Sequence, residues 1–186
     1  MCIRDSSATR APAARTPTPP PTATPTATPQ PCTIAVAPAL AEQIAPLTGL
    51  GCPTDQPQET WAAEQVFQRG RMFWQQDGGA IHILFHTGAN NRTGNYQIEL
   101  DMYVEGDPED ACPEGEAPPA GLFKPVRGFN WHWCNTPNVR NGLGWAVAEE
   151  RGYSAVWQVF ENGHAFQSLG GHVFIFYHDG TWVYVE

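Results

Sequence analysis

Basic residues are scarce in this chain. Lys124 is its single lysine, and ten Lys and Arg residues stand against nineteen Asp and Glu, for a formal net charge of −9. Nucleic acids and anionic membrane surfaces are bound through clustered basic side chains. The sequence contains no such cluster, and we therefore expect neither partner.

Long apolar runs are missing as well. No stretch of eighteen or more apolar residues occurs, so the sequence predicts no membrane-spanning helix. Residues 1–10 lack the apolar segment that a secretory signal requires. We expect residues 1–6 to be an artefactual leader and the signal peptide to be missing from this fragment.

Motifs for catalysis and metal binding are also lacking. The sequence has no Gly-x-Ser-x-Gly, no Cys-x-x-Cys and no pair of carboxylates distinguished by its context. We therefore expect no catalytic residues, no cofactor and no metal. Two metal alternatives remain open: histidine pairs such as His82 and His86, which would share one strand face, and calcium on the acidic run from Asp101 to Asp110.

The first part of the chain has a biased composition. Residues 8–31 are almost entirely Thr, Pro and Ala, which cannot form a packed core and favour extended geometry. We interpret residues 1–31 as a disordered stalk and residues 32–186 as a single domain. Such a stalk is typical of a secreted or surface-displayed protein, outside the cytoplasm.

Four cysteines lie in the predicted domain, Cys32, Cys52, Cys112 and Cys134. An even number in an extracellular context predicts two disulfides. The short spacings favour Cys32–Cys52 and Cys112–Cys134, although the two other pairings, and a zinc site, remain alternatives.

The domain contains an internal repeat. A shift of 93 residues aligns Gly49-Leu50-Gly51 with Gly142-Leu143-Gly144, and Gln65-Val66-Phe67 with Gln158-Val159-Phe160. Nine of the 25 columns from Gly49 to Phe73 are identical, which indicates a duplication. We place the repeats at about residues 40–104 and 129–186, joined by a disulfide-tied loop segment at 105–128.

Each repeat is patterned as consecutive strands. Alternating or continuous apolar runs separated by Gly-bearing turns predict antiparallel meanders. The expected strands are residues 64–68, 71–75, 81–86, 96–104, 156–161, 164–167, 172–177 and 181–185, with short helices at 39–45 and 129–134. The predicted fold class is mainly β, with two pseudo-symmetric meander repeats, short helices and disulfide braces.

The pattern Leu50-Gly51-Cys52-Pro53, followed by Glu64-Gln65-x-Phe67-x-x-Gly70-x-Met72-x-Trp74, resembles the LGFP-type repeat. The second copy keeps Leu143-Gly144-Trp145-Ala146. Cys52 and Ala146 depart from the aromatic and the proline of that repeat. The resemblance implies a bacterial cell-envelope module associated with the cell wall, with no catalytic residues to carry over.

Tryptophan is the most suggestive residue type for function. Trp131, Trp133 and Trp145 cluster around Cys134, and Trp182 begins the last strand. Exposed indoles stack on sugar rings and anchor protein interfaces, whereas buried ones are core. We take these four as candidate ligand-binding residues and expect a non-catalytic module that binds cell-wall polysaccharide or glycan. A structural spacer or a module that binds another envelope protein is the alternative, and a small glycan hydrolase is a third.

Overall fold

The computed structural model describes residues 31–45, 49–87, 91–113 and 117–185. The chain divides into two units, Met1–Pro31 and Cys32–Glu186. Apart from Pro31, the predicted stalk lies outside the described residues. The elements of the second unit are α1 (Pro38–Ile44), β1 (Gln58–Phe67), β2 (Gly70–Gln75), β3 (Ala80–His86), β4 (Thr93–Leu100), α2 (Arg127–Asn135), α3 (Val139–Leu143), β5 (Arg151–Phe160), β6 (Gly163–Gln167), β7 (Val173–Tyr177) and β8 (Thr181–Val185).

The strands form a closed antiparallel barrel in the order β1-β2-β3-β4-β8-β7-β6-β5. Strands β1–β4 and β5–β8 are two consecutive meanders, which meet at a β1–β5 seam and a β4–β8 seam. The predicted mainly β fold with short helices is confirmed. Closure of the sheet was not predicted, because a period-two pattern indicates strands but carries no information on which distant strands pair.

The seams explain where the predicted strand bounds were wrong. β1 begins at Gln58 and β5 at Arg151, several residues earlier than expected, because these leading halves pair with each other. The last expected strand of the first repeat ends at Leu100 rather than at Val104. It ends there because its partner β3 begins at Ala80, which pairs with Leu100, while the pairing with β8 covers only Thr93–Asn95.

Buried side chains form three layers. Inside the barrel, Phe73 packs against Phe166 and Phe174, with ring centroids 5.3 and 4.9 Å apart. Outside β1–β3, a second layer of apolar residues packs under α2 and α3. Outside β5–β7, a third layer packs under α1. Phe67 and Phe160, which align under the shift of 93 residues, lie in different layers.

Two disulfides and two glutamines secure the covering segments. Cys32–Cys52 and Cys112–Cys134 are bonded as predicted, each with a Cα–Cα distance of 5.4 Å. The side chain of Gln158 donates to the carbonyls of Ala35 and Asp55. Gln65 donates to the carbonyl of Ala148. Both glutamines, which align under the shift of 93 residues, thus hydrogen-bond to backbone carbonyls.

No helix among the described ranges is long and apolar enough to cross a membrane.

Candidate functional site

Two of the four candidate tryptophans are core residues. Trp133 and Trp182 are each 1% exposed. Their indole N–H groups donate to the carbonyls of Gly144 and Phe85, at 2.7 and 3.1 Å. Burial leaves neither indole a face for a ligand, so we do not carry these two forward as binding residues.

The other two candidates lie near the surface on separate sides of α2. Trp145 is partly buried against Trp133, with ring centroids 4.7 Å apart. Trp131 lines a small pocket of about 220 Å³, together with Tyr103 and Arg127. Both Trp131 and Trp133 lie on α2, where a short helix was predicted, and residues two apart on a helix point about 200° apart.

A larger groove of about 570 Å³ opens beside this pocket. Its floor is one row of residues across four strands: Gly152 on β5 faces Ala63 on β1, Ala63 faces Trp74 on β2, and Trp74 faces Ile81 on β3. Residues paired in this way share one face of a sheet. Gly152 and Ala63 are the two small residues of this row, and they leave the space that the groove occupies.

Trp61 forms one aromatic side of the groove. It is 51% exposed, an unusual state for so large an apolar side chain. A Cβ atom at Gly152 would lie 2.9 Å from Cζ2 of this indole, so the ring lies directly over the glycine. The absence of a side chain at position 152 therefore permits this position of Trp61.

Trp74 lines the groove from β2 and Tyr103 from the segment after β4. The N–H of the Trp74 indole is buried and has no hydrogen-bond acceptor among the described residues. Buried donors in native proteins nearly always have a partner, so an isolated one at a groove marks a place to look for a bound molecule.

Charged residues also line the groove. Asp101 and Glu105 follow β4, Arg127 begins α2, and Glu150 precedes β5. A carboxylate oxygen of Asp101 accepts the backbone N–H of Tyr103 at 3.0 Å. The same carboxylate packs against Gly128, where an added Cβ would collide with it.

Arg127 lies between two carboxylates. Its Nη2 atom is 2.9 Å from Glu109 and its Nη1 atom 3.7 Å from Glu150. Its backbone has a φ of +55°, in the left-handed region that costs energy for a side-chain-bearing residue. The strained position is maintained by a hydrogen bond of 2.8 Å from its backbone N–H to the carbonyl of Glu109.

The groove is rich in negative charge. Burial raises the pKa of the Glu150 carboxyl; Arg127 opposes that rise, and the nearby Glu109 and Asp101 add to it. Among the lining residues, three carboxylates stand against one guanidinium that is already ion-paired. The arrangement suits hydrogen-bond donors and positive groups, and it disfavours anions.

The groove residues were not predicted, although the sequence contained a signal for them. In the alignment by 93 residues, Trp61 falls on Ser154, Trp74 on Gln167 and Glu150 on Pro57. Nine columns from Gly49 to Phe73 are identical in this alignment, whereas these columns differ. A search for large residues without a large counterpart in the shifted sequence would have found the two tryptophans.

The structure does not assemble the metal alternatives. Among the described ranges, no group of three or more His, Cys, Asp and Glu could hold a metal ion. His82 lies inside the barrel beside His164, with ring centroids 5.3 Å apart, whereas His86 packs on Trp182.

Comparisons with protein-family models, with curated proteins and with solved structures found no match to this chain.

Proposed function

We propose that this chain is a non-catalytic, extracellular module of the cell envelope that binds a cell-wall glycan in the groove between Trp61 and Glu150. The observation that carries the proposal is the half-exposed indole of Trp61, lying over Gly152 at the edge of a groove of about 570 Å³. Ligand sites typically have volumes of about 300–1,000 Å³ and combine apolar walls with a few polar groups.

A sugar ring suits both kinds of residue in the groove. Its C–H face stacks on an indole, which Trp61 and Trp74 offer, while its hydroxyls donate to carboxylates. Asp101, Glu105 and Glu150 are the carboxylate acceptors in the lining. The groove therefore offers both the aromatic faces and the polar groups that an amphipathic sugar ring requires.

We also propose that the fold arose by duplication of one four-stranded unit, with the resemblance to LGFP-type repeats as its sequence counterpart. Hydrogen bonds outside the strands support this proposal. Gln65 donates to the carbonyl of Ala148, and Gln158 donates to the carbonyl of Asp55. The shift of 93 residues aligns Gln65 with Gln158 and Asp55 with Ala148, so the two hydrogen bonds are equivalent. The isolated bridges Phe67–Ala146 and Pro53–Phe160 are related in the same way.

An extracellular location is part of the proposal. The domain has two disulfides. Disulfides form and persist in oxidising compartments and are rare in the cytoplasm. The Thr/Pro segment of residues 1–31 would then space the domain from a surface or from a neighbouring domain.

Binding to another envelope protein is the second candidate, and one surface favours it. Ile98, Leu100, Met102 and Val104 alternate along β4 and its continuation, and all four are 49–70% exposed. Ile98 pairs with His82, so the apolar side of this alternation continues the inner face of the sheet and is exposed to solvent beyond Tyr96. Exposed apolar patches of this kind occur at protein interfaces.

Co-sedimentation tests the glycan proposal. The full chain, unreduced, is mixed with insoluble cell-wall polysaccharide, alongside Trp61→Ser and Leu100→Ala variants. Serine is the residue at the equivalent position 154, so the scaffold accepts it there. We expect Trp61→Ser to weaken binding roughly 30-fold, since loss of a stacking tryptophan costs about 2 kcal/mol.

Leu100→Ala is the matched control, because it removes a 70% exposed apolar side chain that does not line the groove. It should bind as the unchanged protein does. Equal binding by all three proteins, or loss only in Leu100→Ala, would overturn the glycan groove, and the second result would favour the protein-binding candidate.

A further inference from the structure

The groove combines aromatic faces with uncompensated negative charge. Its ionisable lining residues are Asp101, Glu105, Glu150 and Arg127. The guanidinium of Arg127 is shared between Glu150 and Glu109, and Glu109 does not line the groove. The lining therefore keeps an excess of carboxylate after its single cation is paired.

This combination selects a class of ligand. A cation is attracted both by the electron-rich face of an indole or phenol ring and by nearby carboxylates. A neutral sugar requires hydrogen-bond acceptors but gains nothing from excess charge. An acidic polymer would be repelled by the groove and by a chain with a net charge of −9.

We propose that the groove binds a glycan that carries positive charge, namely amino sugars with free, protonated amines. The inference rests on the proposed glycan-binding function and adds its substrate class. An ammonium group placed between Trp61 and Glu105 or Glu150 would meet an aromatic face on one side and a carboxylate on the other.

The equivalent surface of the other half supports a specialised role. There Ser154 and Gln167 replace the two tryptophans, and Pro57 replaces Glu150. At these three columns, the aromatic and acidic residues occur in one half alone. A cationic sugar would gain both from the aromatic faces and from the excess negative charge of that half.

Isothermal titration of the full chain with two matched probes tests the inference. The probes are a β-1,4-linked glucosamine hexamer and its N-acetylated form, at a pH slightly below neutral, where the free amines are protonated. Their backbones are the same and only the first is charged. We expect the glucosamine hexamer to bind about tenfold more tightly, from one cation–π contact and one exposed ion pair.

Charge variants separate this electrostatic preference from general affinity. Glu105→Gln and Glu150→Gln should each reduce the preference for the charged hexamer several-fold and leave binding of the acetylated hexamer nearly unchanged. Glu149→Gln is the control, because this exposed neighbour makes the same charge change outside the groove. Added salt should reduce the preference as well.

The outcomes distinguish the two proposals. Equal binding of the two hexamers, or a preference for the acetylated one, would overturn the cationic class and leave the glycan module standing. If Glu149→Gln reduces the preference for the charged hexamer as much as Glu105→Gln does, the preference arises from the overall charge of the protein. That result would overturn the groove assignment. Failure of both hexamers and of wall polysaccharide to bind would overturn both proposals.

Discussion

Acid should destabilise this protein through the histidines inside its barrel. His82 is 5% exposed, and burial lowers its pKa from 6.5 to about 4. His164 stacks on Phe176 beside it, and burial together with His82 and His178 lowers its pKa to about 3. Both side chains are therefore neutral in the folded protein at pH values where an unfolded chain would protonate them.

The sign of the effect follows from proton counting. Between about pH 6.5 and about 4, the unfolded chain binds a proton at position 82 that the folded protein does not, so the free energy of unfolding falls as pH falls. The slope is about 1.4 kcal/mol per pH unit for one histidine, and the total for His82 is about 3 kcal/mol. This is a large fraction of the roughly 5–15 kcal/mol that stabilises a typical domain.

Urea unfolding of the unreduced chain at a series of pH values, followed by tryptophan emission, measures the slope. His82→Phe is the matched variant, since its ring would lie among aromatic neighbours, Phe176 at 5.1 Å and His164 at 5.3 Å. We expect its slope in this window to be smaller by about 1.4 kcal/mol per pH unit. Other titrating groups are common to both proteins and cancel in the difference, except His164, whose pKa burial lowers most and His82 lowers further; the burial remains in the variant. Identical pH profiles would refute the reasoning.

Two further predictions concern buried hydrogen bonds, measured by urea unfolding at neutral pH. Gln158→Leu should lower the free energy of unfolding by about 2–4 kcal/mol, because the Gln158 side chain makes three hydrogen bonds to backbone. Gln65→Leu removes one such bond and should lower it by about 1 kcal/mol. Equal losses of stability in the two variants would contradict this ranking. Tyr153→Phe should cost about 1–3 kcal/mol, because its hydroxyl donates at 3.0 Å to the buried carboxylate of Glu64. An unchanged midpoint would show that this carboxylate does not depend on the tyrosine.

Most strands were predictable because their pattern is local. The turn at Asp77-Gly78-Gly79 was expected from its residues, and both glycines have positive φ values. The leading half of β1, from Gln58 to Ala63, was not predicted, because polar Gln58, Glu59 and Thr60 give no alternating pattern. That segment is a strand because β5 pairs with it.

The candidate site was harder to predict, for a different reason. Its lining comes from β1, β2, β3, the segment after β4, α2 and the start of β5, and no window of sequence contains more than a few of these residues. Three of the four candidate tryptophans, Trp131, Trp133 and Trp145, were instead chosen because they are close together in the chain. These tryptophans are close together because α2 and α3 pack against each other around Cys134, and the Trp133 side chain is buried in the core between them and the barrel.

The arrangement of the covering helices determines how this fold can be divided. α1 precedes the first meander but packs on β6 and β7 of the second, while α2 and α3 follow the first meander and pack back on it. A chain containing β1–β4 alone would lack α2 and α3 on its outer face and a partner at both seams, and its own α1 would have no surface to cover. The two meanders are therefore halves of one interlocked unit, and a protein built from a single half would have to pair with a second copy of itself to be complete.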